Sequence, residues 1–129
     1  NSLQERLISC AESLEPRGMS MSAYAAAKLM WGDEILLVRL ARTGVRCASN
    51  FGATDIAKSC WAFAKLRFVD EADAAVFWKG IAREAERTVR SARFVDVSMM
   101  AWAFGMTCYG EEGFYAELSF TTRAVCDTL

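Results

Sequence analysis

Apolar residues recur along the chain at three- and four-residue intervals in seven stretches, separated by short polar or glycine-containing breaks. That periodicity predicts helices over Ser2–Leu14, Gly18–Met30, Asp33–Val45, Ala53–Arg67, Glu71–Ser91, Phe94–Cys108 and Glu111–Asp127. In the fourth, Ile56, Cys60 and Phe63 follow one stripe, while Ala57, Trp61, Ala64 and Phe68 line the adjoining face. Two apolar stripes on one helix imply neighbours on both sides, which a stacked array supplies and a free-standing hairpin does not.

The pattern also repeats. Asp55–Leu66 laid over Asp96–Thr107 matches Asp55 with Asp96, Trp61 with Trp102, Ala62 with Ala103 and Phe63 with Phe104, an offset of 41. Upstream, Ser22, Ala25, Ala27, Lys28 and Leu29 match Ser59, Ala62, Ala64, Lys65 and Leu66 at an offset of 37, with Tyr24 under Trp61. The intervening helices exchange the two offsets: Leu36, Leu40 and Ala41 match Phe77, Ile81 and Ala82 at 41, whereas Phe77, Trp78 and Ile81 match Phe114, Tyr115 and Leu118 at 37. One insertion of four residues around Ala72–Ala75 reconciles both spacings, and four residues are about one helical turn.

The expected architecture is therefore all-α: an α-solenoid of stacked antiparallel hairpins, with about seven helices in about three and a half repeats. Residues 1–17 form the second helix of a truncated repeat, 18–52 the first full repeat, 53–93 the second and 94–129 the third. Asp55 and Asp96 fall in first helical turns, where a carboxylate caps free amides and meets the positive dipole end. Pro16 and Gly18 separate the first two helices, and Tyr109-Gly110 closes the sixth. Ala62, Ala64, Ala101, Ala103 and Gly105 permit close helix approach beside the aromatics.

Composition supports a packed domain: 53% of the 129 residues are hydrophobic and 24% charged, with one proline. The net charge of −1 advertises no polyanion partner, but its distribution is uneven. Lys58 to Arg93 holds eight basic and five acidic residues, whereas Phe94 to the end holds one basic and five acidic. Five cysteines without a CxxC pair, and no histidine, fit neither a disulfide framework nor a common zinc site, so reduced buried thiols are expected. No apolar run reaches the length of about 18 residues that a membrane span needs. The chain opens on Asn1 rather than Met, as a processed or excerpted piece would.

The segments DIAKSCWAFAKL and DVSMMAWAFGMT, each an acid-led helix running to Trp-Ala-Phe and a small residue, resemble the first helix of octotricopeptide and heptatricopeptide repeats. These belong to organellar proteins and to the related FAST-kinase-like proteins that carry a RAP domain; MSAYAAAKLMWGDE is a weaker copy. The resemblance implies binding of single-stranded RNA along successive first helices in mitochondria or, alternatively, plastids. It further implies membership of a large ribonucleoprotein such as the mitochondrial ribosome. No RAP domain follows here, so no cleavage activity is implied.

The residues suited to such work are few. Lys58 and Lys65 lie opposite Ile56, Cys60 and Phe63, and Lys28 repeats Lys65, so amines stand one unit apart. Phosphate contact is the functional reading; a plain solvated lysine face is the more ordinary one. In the third unit these positions become Met99 and Met106, which suit contact with another protein. Arg83, Arg87 and Arg90 recur at i, i+4 and i+7, with Arg42 and Arg46 as counterparts of the first two; such a column tracks a nucleic-acid backbone or forms a solvated stripe paired with Glu84 and Glu86. Trp61, Trp102, Tyr24, Trp78 and Tyr115 are read as inter-helix packing in the core rather than base-stacking platforms, because alanines flank them on an apolar face at a fixed place in each unit.

Catalytic signatures are missing: no histidine for a triad, no phosphate-binding GxxxxGKS loop, and acidic pairs (Asp33-Glu34, Asp70-Glu71, Glu111-Glu112) that helix starts explain. The chain is accordingly read as a non-enzyme without cofactor or metal. Two functions compete: an RNA-binding repeat module, and a protein-binding scaffold among neighbouring subunits of a large respiratory, photosynthetic or ribosomal assembly.

Overall fold

A computed structural model describes residues 2–107. It contains six α-helices: α1 (Ser2–Cys10), α2 (Pro16–Lys28), α3 (Glu34–Cys47), α4 (Ala53–Lys65), α5 (Ala72–Thr88) and α6 (Phe94–Thr107). Strand is absent among the described residues. The expected seventh helix, together with Cys108, Tyr109-Gly110, Tyr115 and Cys126, lies outside them.

Neighbour relations sort the helices into two rows. Along the first, α2 packs on α4 and α4 on α6; along the second, α1 packs on α3 and α3 on α5. Each hairpin joins the rows, α2 with α3 and α4 with α5. Between the rows lies the core, where Phe63 of α4 meets Phe77 of α5 edge-on at 4.6 Å, and Trp78 meets Phe104 of α6 at 5.5 Å. Such edge-to-face pairs add about 0.5–1.5 kcal/mol each beyond their buried area. Trp78 is fully buried, and its indole N–H donates to the Phe68 carbonyl at 2.9 Å. In the second row the Phe77 ring of α5 lies against Gly44 of α3, where a Cβ would stand 2.8 Å from it.

Local signals recur at the spacings seen in the sequence. Turns of 3₁₀ helix at Ala11–Ser13, Ala48–Asn50 and Val89–Ser91 follow α1, α3 and α5, and each leads through two connecting residues into a first-row helix. At the other end, α2 and α4 stop alike. Met30 and Arg67 take left-handed φ values of 53° and 57°. The amides of Met30 and Trp31 donate to Ala27 and Ala26, and those of Arg67 and Phe68 to Ala64 and Phe63. This is the paired bonding of a Schellman stop, without its usual glycine. Phe68 compensates by burying its ring, 5.4 Å from that of Phe63.

Three sequence expectations change. Pro16 does not break the chain but opens α2, where its missing N–H removes no helical bond. The second and fourth helices end two residues early, at the left-handed stops. The four-residue insertion divides into one residue in the loop, 66–71 against 29–33, and three in the helix, so α5 has 17 residues and α3 has 14. Of the cysteines, Cys47 and Cys60 are buried as expected, and Cys10 is exposed.

Candidate nucleic-acid interface

The first row is held in register by two carboxylates. Asp55 accepts the Gly52 amide at 3.4 Å and the Ser20 hydroxyl of α2 at 2.9 Å. Asp96, 41 positions later, accepts the Arg93 amide at 3.4 Å and the Thr54 hydroxyl of α4 at 3.2 Å. Each therefore caps its own helix and ties it to the preceding one. Asp96 is only 2% exposed, and Arg93 closes over it with an ion pair of 3.1 Å that holds the guanidinium above its ordinary pKa. These are the only acidic residues within α2, α4 and α6.

With the acids engaged at the helix starts, the middle of the row is free of negative charge. There Tyr24, Trp61 and Trp102 form a ladder across the three helices, with ring centroids 5.3 and 6.3 Å apart. Trp102 is 40% exposed, and Tyr24 and Trp61 are half-buried. The inter-helix packing expected of these three is present, with Trp61 against the core, but none of them is fully buried, and the expectation of a core position is corrected to that extent. Of the expected aromatics among the described residues, Trp78 is the one that is fully buried.

Three lysines surround the ladder. Lys28 Nζ lies 5.4 Å from both the Tyr24 and Trp61 centroids, Lys58 Nζ 5.3 Å from Tyr24, and Lys65 Nζ 5.9 Å from Trp61. All three are within cation–π range. None pairs with a carboxylate among the described residues. The columns beside the aromatics read Met21, Lys58, Met99 on one side and Lys28, Lys65, Met106 on the other, so positive charge sits over α2 and α4 while the α6 end is apolar.

The arginine column of the second row is arranged differently. Arg46 donates to the carbonyls of Leu14 at 2.9 Å and Glu12 at 3.2 Å, and Arg87, its counterpart 41 positions on, donates to that of Phe51 at 3.0 Å. Both target carbonyls at Leu14 and Phe51 stand two residues before a first-row helix, so these guanidiniums fasten the connectors. Arg87 also pairs with Glu84 at 2.7 Å, one of the two acids the sequence places beside this column. Arg42 bridges Asp73 of α5 at 3.2 Å and Glu12 at 3.6 Å, and the Asp73 bond raises its pKa. Asp73 lies in the added turn of α5, which thereby acquires a function in joining α3 to α5. Arg83 and Arg90 are exposed. A shallow depression on the outer side of α3, lined by Glu34, Ile35, Val38, Arg39 and Arg42, has mixed charge and no focus for a ligand.

The lysine and arginine candidates therefore lie on separate rows, and only Lys28, Lys58 and Lys65 converge. The described residues contain no grouping of acids and cysteines suited to a metal ion. Burial pushes the Cys60 thiol well above its usual range, which makes it a poor nucleophile. No described helix is long and apolar enough to cross a membrane. No protein-family model matches the chain, and neither the curated proteins nor the solved structures include a significant match to it.

Proposed function

We propose that the chain is a segment of an α-solenoid, built of hairpin repeats, whose first-row face binds single-stranded RNA within an organellar ribonucleoprotein. Mitochondrial residence follows from the octotricopeptide and heptatricopeptide resemblance, with the plastid as the alternative. The array reading draws support from the 37- and 41-residue recurrence of caps, stops and 3₁₀ turns. The observation that carries the binding reading is the convergence of Lys28, Lys58 and Lys65 on the Tyr24–Trp61–Trp102 ladder with no carboxylate among the described residues to neutralise them. Amines neutralise phosphates, and exposed rings accept bases removed from a helical stack. No catalytic step is part of this reading.

A second function, protein scaffolding, is favoured by the α6 end of the same face, where Val95, Trp102 and Met106 are exposed and no lysine stands. The two separate in a binding titration. Labelled mixed-sequence single-stranded RNA should bind at low salt and weaken steeply between about 50 and 200 mM. Lys28→Met, Lys58→Met and Lys65→Met together should remove the binding, and Arg83→Ala should leave it intact. No binding at low salt, or binding indifferent to salt, rejects the RNA reading and leaves the scaffold.

A further inference from the structure

The chemistry of the first-row face also says what it is unable to distinguish. Reading a base requires side chains that meet its edge with paired donors and acceptors, chiefly Asn, Gln, Arg and carboxylates. Telling RNA from DNA requires a polar group placed against the 2′-hydroxyl. Helices α2, α4 and α6 contain no Asn, Gln or His. Their one arginine, Arg17, lies seven residues from Tyr24, about 10 Å along the helix axis. Asp55 and Asp96 are bonded to Ser20 and Thr54, which removes both the acids and those hydroxyls from any readout. What remains beside the ladder is the ammonium groups, the methionines Met21, Met99 and Met106, the exposed hydroxyl of Ser98 and the faces of three rings.

Such a surface recognises two features shared by every unpaired strand. Lysine is a point charge on a flexible stem and follows phosphates without fixing a plane. Rings stack on any base, because every base has a π-face. Resting on the nucleic-acid reading above, we propose that this face takes any unpaired polynucleotide strand, RNA or DNA, with little discrimination by base or by sugar. Contact with phosphate is confined to α2 and α4, since α6 replaces both lysine positions with Met99 and Met106. The charge footprint is accordingly short, at most three phosphates.

The experiment is a set of titrations of the intact chain with short homopolymers, read by anisotropy and by quenching of tryptophan fluorescence. Oligo(rA) and oligo(dA) should bind within about fivefold of each other, as should oligo(rU) and oligo(dT), because one isolated hydroxyl such as that of Ser98 supplies no more discrimination than that. The logarithm of affinity should fall with the logarithm of salt with a slope of about 2, the value for three phosphates on a single strand. A duplex of the same length, whose bases stay stacked, should bind at least about tenfold more weakly. Quenching should be lost in the Trp61→Phe, Trp102→Phe double variant and kept in Trp31→Phe, a pair of conservative changes that preserve the fold.

A preference above about thirtyfold for RNA over the matching DNA, or for one base over the other three, overturns the indiscriminate reading while leaving RNA binding in place. Equal affinity for duplex, or quenching unaffected by the double variant, overturns the stacking part of it. Failure of every single strand to bind rejects the nucleic-acid function itself.

Discussion

The two helix rows treat their cations in opposite ways. In the second row, Arg42, Arg46 and Arg87 each reach an acceptor within the fold, either a connector carbonyl or the carboxylates of Asp73, Glu12 and Glu84. In the first row, Lys28, Lys58 and Lys65 reach aromatic rings and, at Lys58, the Met21 sulfur, but no carboxylate among the described residues, and the acids of those helices are engaged with hydroxyls and amides at the helix starts. A column of positive charge in a sequence therefore does not identify a binding surface. What matters is whether each cation finds an internal partner, and a planar guanidinium with five donors finds one more readily than an ammonium on a flexible stem.

The largest effect that tests this contrast compares two tryptophans. Trp78 is fully buried between the rows and hydrogen-bonded through its indole, so Trp78→Ala should cost about 3–5 kcal/mol in chemical denaturation. Trp102 belongs to the exposed ladder, and Trp102→Ala should cost less than about 1.5 kcal/mol while weakening RNA binding. Equal losses of stability would mean that the ladder is core after all and that the two rows are not distinct.

A smaller effect separates fastening from binding. Arg87→Met removes the charge-assisted bond to the Phe51 carbonyl, which should lower stability by about 1–2 kcal/mol with RNA affinity unchanged. Lys58→Met should do the reverse, changing stability by less than about 0.5 kcal/mol and reducing affinity. If Arg87→Met reduces affinity and spares stability, the second row is the nucleic-acid face and the assignment is inverted.

Much of this was legible before any coordinates. The helical period located six helices, and the exchanged offsets of 37 and 41 anticipated both the caps at Asp55 and Asp96 and the longer α5. The ladder was misread because alanine neighbours suggested burial. The correcting signal lay three residues before and four after each aromatic, where Met21, Lys58 and Met99 and then Lys28, Lys65 and Met106 stand. Those positions share a helical face with the ring, and lysine on both sides of Trp61 marks that face as exposed. The arginine staples were less accessible, since a carbonyl two residues ahead of a distant helix leaves no trace in residue type. The helix stops were hidden altogether: Met30 and Arg67 have no preference for left-handed backbone, and only the tertiary demand for Phe68 in the core places Arg67 there.

Those two stops yield the smallest effect, and it has the opposite sign. A side chain at φ near 55° is strained by contact of its Cβ with the following carbonyl, a cost of roughly 1–2 kcal/mol that glycine does not carry. Glycine also gives the unfolded chain more freedom, which offsets part of the gain. Arg67→Gly and Met30→Gly should therefore each stabilise the fold by up to about 1 kcal/mol, read as a higher denaturation midpoint. Both side chains are exposed, so little packing is lost in exchange. Because the stops lie 37 residues apart in different hairpins, the double variant should gain close to the sum of the two. The turns set how the first row is offset from the second, and relieving them without moving them should leave the affinity for RNA where it was. A loss of stability at either position would mean that the chain does not turn there in the left-handed geometry, and the registration of the lysines over the ladder would fall with it.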